Sequence, residues 1–342
     1  YIAQDALAGH DIGPAAEWLL DHFQLIEDQW REVHAGLPAR YYRALPVLQH
    51  APLVGLPRIY GVAWAFVAHT DSAFDATLLL HFLDAYQDER ELSQGELWAL
   101  PTTLRVVLIE NLRRLADRLA SHKAARELAT LSAARADSLT VDGVLAMRRL
   151  MAQRGVGEVF LVQLMQQLAP HGSTPPNPAL APLRHWLAAE VPALGALVAQ
   201  QHIDQAADHL SMGNAVSALR AIGAAHWPDI VAQTSRVMRV MLGSPMFAAE
   251  DEATRNKTLH AIERLASESR QAESAVARAL LADMAGAEGP AALASHWLDG
   301  AGSPAFEERL GKRHLLPLAW RQQAHVSRTH AYFGTLLLGT LL

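Results

Sequence analysis

The chain has 342 residues, enough for one large helical domain or for two or more ordinary ones. It contains no cysteine, which excludes disulfides and thiolate zinc sites and is typical of a reducing compartment. The formal net charge is −6 at pH 7 and the 29 lysine and arginine residues are scattered, so we expect no surface that binds nucleic acid.

Alanine and leucine dominate the chain, and apolar residues recur every three or four positions rather than every second position. This spacing places apolar side chains on one face of an α-helix, so we predict an all-α fold, a multi-helix bundle without strands. The first helix is predicted to open at Pro14 and to bury Trp18 and Leu25. Glu27 and Arg31 lie one turn apart on it and are expected to form an ion pair.

The motif Ser93-Gln94-Gly95-Glu96 is a capping box, in which serine and glutamate side chains accept from each other's backbone N–H groups. It predicts the start of a long helix with a stripe of leucines at spacings of three and four. The stripe comprises Leu104, Leu108, Leu112, Leu115 and Leu119. Later helices are predicted over residues 123–136, 140–153, 156–169, 180–209, 212–225, 228–242, 252–269, 272–285 and 304–314.

The helical pattern has one clear break. The run His171–Pro178 contains three prolines and a glycine, which oppose helix formation. We therefore predict two helical halves, residues 1–170 and 179–316, joined by a loop over 171–178. The remaining residues, 317–342, are interpreted as a juxtamembrane segment.

Both ends of the sequence suggest a piece of a longer protein. The chain opens at Tyr1 without methionine, and Ala331–Leu342 is an uncharged apolar run. A bilayer-spanning helix needs about 20 such residues, so the run is either the first turns of a membrane helix or an ordinary core helix. Basic residues of the kind that flank the cytoplasmic side of membrane helices lie just upstream: Arg309, Lys312, Arg313, Arg321 and Arg328.

The cluster His69-Thr70-Asp71-Ser72 contains the residue types of a hydrolase triad within four positions. It lies where a helical pattern over residues 57–69 ends and before another begins at Asp75. Side-chain oxygens at such junctions cap helix ends, and a histidine in a last turn meets the negative end of the helix dipole. Because a triad is defined by spatial roles and not by adjacency, we interpret these residues as structural.

His202 and His209, with Gln205 between them, are the candidates for metal ligands. Two helical turns separate the two imidazole stems by about 10 Å, which is a poor geometry for one ion. Asp204 and Asp208 lie on other sides of the same helix. We therefore predict no metal site in this segment.

Three acidic groups are candidates for the paired carboxylates of a glycosidase. They are Glu27 with Asp28, Glu110, and Glu250-Asp251-Glu252. Ion pairing of Glu110 with Arg113 and Arg114, and the preference of acids for helix starts, make a structural role the prediction for all three. The sequence contains no phosphate-binding loop, nucleophile elbow, dinucleotide-binding glycine motif or Asp-x-Asp pair. We predict no catalytic or cofactor-binding residue here.

Two blocks of the sequence show a family likeness. The first contains Ala16–Gln29, Leu37–Pro46, Gly95–Leu100 and Ile109–Leu115, and the second contains Gln201–Ala207, Ser211–Asn214 and Arg255. Both blocks resemble the N-terminal region of cyclic β-1,2-glucan synthases. The positions that match the family's motifs are Glu17, Trp18, Tyr41, Tyr42, His69, Thr70, Asp71, Glu96, Trp98, Glu110, Asn111, Arg113, Arg114 and Asn214.

The resemblance implies a large bacterial inner-membrane enzyme that builds β-1,2-glucan from UDP-glucose and closes it into a ring. In that family a cytoplasmic helical region like this one precedes membrane helices and a glucosyltransferase domain of the same polypeptide. UDP-glucose, and a divalent metal as a candidate cofactor, would serve the whole enzyme, and none is expected in this segment. Residues 311–342 depart from the family's pattern.

The leading hypothesis is a non-catalytic scaffold, docking surface or regulator on the cytoplasmic face of the bacterial inner membrane. One alternative is a protein-interaction module. Another is an α/α carbohydrate-active domain whose cleft combines acids with exposed tryptophans. The candidate acids are Glu17, Asp71, Glu96 and Glu110, and the candidate tryptophans are Trp18, Trp64 and Trp98.

Overall fold

The computed structural model describes residues 14–36, 38–169 and 178–311. These residues form 17 α-helices and three short 3-10 helices, with no strand among them, so the predicted all-α fold is confirmed. The helices up to residue 224 are α1 (Pro14–Asp21), α2 (Phe23–Gly36), α3 (Ala39–Ala44), α4 (Arg58–His69), α5 (Ala76–Glu89), α6 (Gln94–Ala134), α7 (Val141–Ala152), α8 (Gly157–Leu168), α9 (Ala181–Glu190) and α10 (Leu194–Ala224). Those that follow are α11 (Trp227–Thr234), α12 (Arg236–Met241), α13 (Pro245–Ala249), α14 (Glu252–Ser269), α15 (Glu273–Met284), α16 (Ala294–Leu298) and α17 (Ser303–Arg309).

Helix length and hydropathy bear on the membrane prediction. The longest described helices, α6 and α10, have 41 and 31 residues. None of the helices in the described ranges is apolar over a stretch long enough to cross a bilayer. The predicted juxtamembrane segment 317–342, with the apolar run Ala331–Leu342, lies outside the described residues.

The chain divides into two compact units. Among the described residues, the first unit contains those from 14 to 79 and from 100 to 225, and the second contains those from 80 to 99 and from 226 to 311. These bounds differ from the predicted halves because packing joins residues 80–99 to helices that follow far later in the sequence. The predicted loop at 171–178 lies outside the described residues except for its last position, and it stays a prediction.

Apolar faces of α7, α8 and α9 form one core of the first unit, together with the last turns of α6. Its most deeply buried side chains are Ala125, Ala129, Val144, Phe160, Leu164 and Leu187. Helix α10 packs against α1, α2 and α8 in the same unit. Burial of apolar surface contributes about 25 cal/mol per Å². It is the main term that stabilises these helices, because intrinsic helix propensity alone is weak.

The core of the second unit forms where α12 and α14 pack against α15. Its fully buried side chains include Met241, Phe247, Ile262, Val276, Leu280 and Phe306. The spacing of Leu259, Ile262 and Leu265 along α14 is the three-and-four pattern that predicts this helix over the same residues, 252–269.

Three predicted helices, over 180–209, 212–225 and 228–242, have the wrong bounds. The sequence pattern places a break at residues 210–211, whereas α10 continues to Ala224 and the chain turns at Val191. Pro192 explains this break, because a proline disfavours helical backbone at the residue before it. The predicted helix 228–242 is divided at Ser235, whose hydroxyl accepts from the Met238 N–H and opens α12.

The capping box at the start of α6 is confirmed. The Ser93 N–H donates to Glu96 Oε2 at 3.0 Å, and the Glu96 N–H donates to Ser93 Oγ at 3.2 Å. The helix then continues without a break to Ala134, so the predicted helix over 123–136 is its last part.

A second capping arrangement lies in the second unit, where α6 and α15 begin side by side. The Gln94 N–H donates to the two carboxylate oxygens of Glu273 at 2.9 and 3.1 Å. In return, the Ser274 N–H donates to Glu91 Oε1 at 2.9 Å. Each helix start is thus capped by a glutamate from the segment that begins the other helix. We call these interactions the reciprocal caps.

Candidate functional site

A cleft of about 320 Å³ lies in the first unit between α4, α6 and α10. Helix α4 and the loop after it supply one wall, and α6 and α10 supply the others. The polar and aromatic side chains that line the cleft are Tyr60, Trp64, Asp71, Ser72, Glu110, Asn111, Arg114, Arg118, Asp208 and Ser211.

Helix α4 presents its aromatic residues to the cleft because its apolar face is used for packing. Ile59, Val62 and Phe66 are buried in the unit. Tyr60 and Trp64, one turn apart, line the cleft instead, and Trp64 is 44% exposed. The helix therefore offers an open aromatic surface on the side that does not contribute to the core.

The loop after α4 has an unusual backbone at the rim of the cleft. Asp71 and Ser72 have φ angles of +48° and +65°, in the left-handed region that residues with a side chain seldom adopt. Such a conformation costs about 1–3 kcal/mol per residue and persists only where surrounding contacts enforce it.

Side chains from α6 and α10 supply those contacts. The Asn111 amide donates to Ser72 Oγ at 2.7 Å, and Ser72 is only 1% exposed. The Ser211 hydroxyl donates to Asp71 Oδ1 at 2.5 Å, and the Asn214 amide donates to the Asp71 carbonyl oxygen at 3.0 Å. Two helices therefore hold the loop in place, and the carboxylate of Asp71 has a fixed position.

The four residues of the predicted junction form two pairs with different hydrogen-bond partners. His69 Nδ1 lies 2.7 Å from the Ala65 carbonyl oxygen, and the Thr70 hydroxyl donates to the Phe66 carbonyl oxygen at 3.0 Å, so both complete the end of α4. The side chains of Asp71 and Ser72 do not cap helix ends as predicted, because they bond to side chains of α10 and α6. Their backbone nevertheless ends α4, since the Ser72 N–H donates to the Val67 carbonyl oxygen at 2.9 Å. No hydrogen bond joins His69 to Ser72 or Asp71 in the described contacts, and the junction is not a triad.

Glu110 is held by two arginines, as its spacing predicts. Arg113 and Arg114 donate to its carboxylate through their Nε atoms at 2.7 and 2.8 Å. These hydrogen bonds lower the pKa of Glu110 to about 2. The carboxylate is therefore ionised at neutral pH and is unsuited to donate a proton to a leaving group.

Asp208 is more buried than Glu110 and is paired with Arg118, which also lines the cleft. The guanidinium donates to Asp208 Oδ1 at 2.7 Å, while the carboxylate side chain is only 6% exposed. Burial raises the pKa of Asp208, and Arg118 opposes this shift. The nearby His122 has a lowered pKa, first because of its burial and then because of Arg126.

Two of the three carboxylates that line the cleft, Glu110 and Asp208, are paired with arginines. Glycoside hydrolysis requires one carboxyl group that donates a proton and a second that acts as base or nucleophile. In the cleft Glu110 is ionised between two arginines and Asp208 is paired with Arg118, so neither is free for these roles. What the cleft offers is an aromatic surface next to hydrogen-bonding groups whose positions are fixed.

The remaining candidates for a carbohydrate-active cleft lie elsewhere. Glu17 is exposed on α1, and Trp18 packs against His22 with ring centroids 4.1 Å apart. Glu96 is fully buried in the capping box, and Trp98 belongs to the second unit. Of the acids and tryptophans proposed for a carbohydrate-active cleft, only Asp71, Glu110 and Trp64 line the same cleft.

Tyr41 and Tyr42, which match the family's motifs, lie on the short helix α3. Burial and the neighbouring Tyr60 raise the pKa of Tyr42. Neither tyrosine is among the residues that line the cleft.

The two candidate metal ligands lie on α10. His202 and His209 are both exposed. Among the residues that the structure describes, no three histidine, aspartate or glutamate side chains are grouped so as to hold a metal ion. Asp208, on the other side of α10, pairs with Arg118 instead.

Among the polar and aromatic residues that line the cleft, the sequence analysis proposed no site role for four: Tyr60, Arg118, Asp208 and Ser211. Arg118 and Asp208 are 90 positions apart, and no local pattern indicates that they pair. One local pattern could have indicated the cleft: Tyr60 and Trp64 lie four positions apart on a helix whose other face is apolar.

No family model matches the chain. The chain is 33% identical over 283 residues to the cyclic beta-(1,2)-glucan synthase NdvB of Rhizobium meliloti (strain 1021). The match takes in 80% of this chain and 10% of that protein, so the chain spans about a tenth of its relative. Over most of its length this chain is therefore similar to one segment of a cyclic β-1,2-glucan synthase, and the resemblance predicted from the sequence is confirmed.

Proposed function

We propose that this chain is a non-catalytic helical scaffold or regulatory region of a membrane-bound synthase that makes cyclic β-1,2-glucan from UDP-glucose. The proposal rests chiefly on the 33% identity to one segment of a protein named as such a synthase. The remainder of that protein is far larger than this chain and has room for the catalytic domains.

The state of the acids in the cleft supports the non-catalytic part of the proposal. Glu110 and Asp208 both accept hydrogen bonds from arginines. The sequence also lacks a phosphate-binding loop and an Asp-x-Asp pair for the diphosphate of a nucleotide sugar. In this proposal UDP-glucose, and any divalent metal, binds to other domains of the same polypeptide.

The proposal includes a location and partners. The chain lies on the cytoplasmic face of the bacterial inner membrane, and its partners are the transmembrane and glucosyltransferase domains of the synthase. The scattered basic residues and net charge of −6 give no reason to include nucleic acid among its partners.

Two assays test the proposal. The purified chain, incubated with UDP-glucose, is expected to release no UDP and to form no glucan. A full-length synthase that lacks this segment is expected to lose glucan synthesis or its assembly in the membrane. Turnover of UDP-glucose by the chain, or normal synthesis and assembly without it, would contradict the proposal.

A second candidate function is a carbohydrate-active domain, because the cleft places Asp71 and Glu110 in the same lining as Trp64. Release of new reducing ends from β-1,2-glucan by the purified chain would support it. The activity should then be lost in the variants Asp71→Asn and Glu110→Gln, whereas Glu27→Gln, outside the cleft, should leave it unchanged. Absence of product in the parent chain would eliminate this candidate.

A further inference from the structure

We infer that the cleft between α4, α6 and α10 binds a short, neutral glucose oligosaccharide, with one sugar ring stacked on Trp64. The cleft is a binding site for the product or acceptor chain rather than for the nucleotide donor. The choice of β-1,2-linked glucose as the ligand rests on the proposed function, whereas the neutral, polyhydroxylated character of the ligand follows from the cleft itself.

The aromatic wall is the first reason. Trp64 is 44% exposed on a helix whose neighbouring side chains, Ala63 and Phe66, are buried, and Tyr60 lines the same cleft one turn earlier. One face of a glucose ring consists of C–H groups and is apolar. Such a face covers an exposed indole, while the hydroxyl groups at the ring's edge remain available for hydrogen bonds.

The polar groups that surround the tryptophan match those hydroxyl groups. Asp71 and Asp208 offer carboxylate oxygens, Arg114 and Arg118 offer guanidinium N–H groups, and Ser211 offers a hydroxyl. A sugar hydroxyl both donates and accepts, so it pairs with groups of either kind, and planar carboxylate and guanidinium groups reach two adjacent hydroxyls at once.

These groups are positioned before any ligand binds. Ser211 fixes the Asp71 carboxylate, Arg118 is fixed on Asp208, and Arg114 is fixed on Glu110. Groups that are already ordered lose little conformational entropy on binding, which favours even a small, polar ligand. The left-handed backbone of Asp71 is explained in the same way, because it places a carboxylate at the rim of the cleft at a cost in stability.

The charges that line the cleft favour a neutral sugar over a nucleotide as the ligand. The lining contains three carboxylates, those of Asp71, Glu110 and Asp208, against the two guanidinium groups of Arg114 and Arg118. Both guanidinium groups already donate to carboxylates. A diphosphate would have to displace these partners and lie beside the negative charges, which is unfavourable. A neutral ligand meets no such penalty.

The size of the cleft limits the ligand. A volume of about 320 Å³ is at the lower end of the range of about 300–1,000 Å³ for small-molecule sites. It accommodates a short segment of glucan and not a whole ring of linked sugars.

The test uses calorimetric titration of the purified chain with short linear β-1,2-linked glucose oligosaccharides. Binding is expected, and Trp64→Ala should weaken it by about tenfold or more, since tenfold corresponds to about 1.4 kcal/mol. Trp64→Phe keeps an aromatic ring and should lose less. Trp30→Ala is the matched control, because Trp30 is 49% exposed in the same unit and does not line the cleft.

Three results would overturn the inference. They are no heat of binding with any of the β-1,2-linked oligosaccharides, equal affinity for Trp64→Ala and Trp30→Ala, and displacement of the bound sugar by UDP. Circular dichroism of each variant shows whether the helices are intact, so that a loss of binding is assigned to the cleft.

The inference and the proposed function fail in different ways. If the chain binds no oligosaccharide but the synthase without it makes no glucan, the inference is wrong and the scaffold role stands. If the chain binds the oligosaccharide and also turns over UDP-glucose, the non-catalytic role is wrong and the binding site stands.

Discussion

The cleft of the first unit and the reciprocal caps of the second use the same residue types for different purposes. In the second unit, Glu91 and Glu273 accept from backbone N–H groups that the first turns of two helices leave unpaired. In the first unit, Asp71, Glu110 and Asp208 accept from side chains and line an open cleft. The partners of Glu91 and Glu273 are helix starts, so the fold alone explains these two carboxylates, whereas the partners of the cleft carboxylates are side chains beside an open space.

The largest effect that tests this comparison is expected at Glu91. Glu91→Ala leaves the buried N–H and hydroxyl of Ser274 without their acceptor, and should destabilise the protein by about 2–4 kcal/mol. Denaturation by urea measures the change. Glu89→Ala, at an exposed position two residues earlier, is the control and should be nearly neutral. Equal effects of the two variants would show that the reciprocal caps contribute little.

A second prediction concerns Glu273 and pH. Burial raises the pKa of Glu273 to about 8, and the neighbouring carboxylates of Glu263, Glu91 and Glu96 act in the same direction, whereas the Gln94 N–H opposes the shift. The unfolded chain loses this proton near the ordinary value of 4.5, so between about 4.5 and 8 the folded state binds more protons. Stability should therefore fall as pH rises through this window, by up to about 1.4 kcal/mol per pH unit.

Glu273→Gln should remove this fall. The amide oxygen still accepts from the Gln94 N–H, and the side chain no longer ionises. Urea denaturation of both proteins from pH 5 to about pH 8 measures the two slopes. Glu252→Gln, exposed on α14, should keep the parent's slope. An unchanged slope in Glu273→Gln would show that another group is responsible.

The loop of the first unit provides a third prediction. Asn111→Ala removes the donor to Ser72 Oγ and should destabilise the protein by about 1–2 kcal/mol. Ser72→Gly removes the same hydrogen bond, but glycine adopts a positive φ without strain, so its loss should be smaller. The difference between the two losses in unfolding free energy reflects the backbone strain at Ser72. A larger loss for Ser72→Gly than for Asn111→Ala would contradict the presence of this strain.

The smallest effect is expected at Glu110. Glu110→Gln removes its ion pairs with Arg113 and Arg114, which are mostly exposed to solvent, so the loss should be about 0.5 kcal/mol or less. Because the pKa of Glu110 is lowered to about 2, this contribution is present above the unfolded value of 4.5 and disappears as pH falls toward 2. High salt should reduce it. A loss as large as that of Glu91→Ala would remove the distinction between the two regions.

Local sequence patterns predicted the local structure of both regions. The capping box of Ser93 and Glu96 and the pairing of Glu110 with Arg113 and Arg114 follow from spacings of three and four, which bring side chains together on any helix. The all-α fold follows from the same periodicity. Each of these predictions depends on residues within one or two turns of each other.

Interactions between residues far apart in the sequence could not be predicted from local patterns. Glu91 and Ser274 are 183 positions apart, and no pattern in either segment indicates the other. The same holds for Arg118 with Asp208 and for Asp71 with Ser211, which is why Asp71 was interpreted as a helix cap. Packing of whole helices determines these pairs, and that packing depends on apolar faces that accept many partners.

The turn formed by Asp71 and Ser72 has a consequence for how the first unit folds. The Ser72 N–H donates to the Val67 carbonyl oxygen at 2.9 Å, although two consecutive residues with side chains, Asp71 and Ser72, have a left-handed backbone there. We expect this hydrogen bond to persist only while Asn111 and Ser211 hold the loop from α6 and α10. In hydrogen exchange, the Ser72 amide should become unprotected together with the packing of α6 and α10, rather than with fraying at the end of α4.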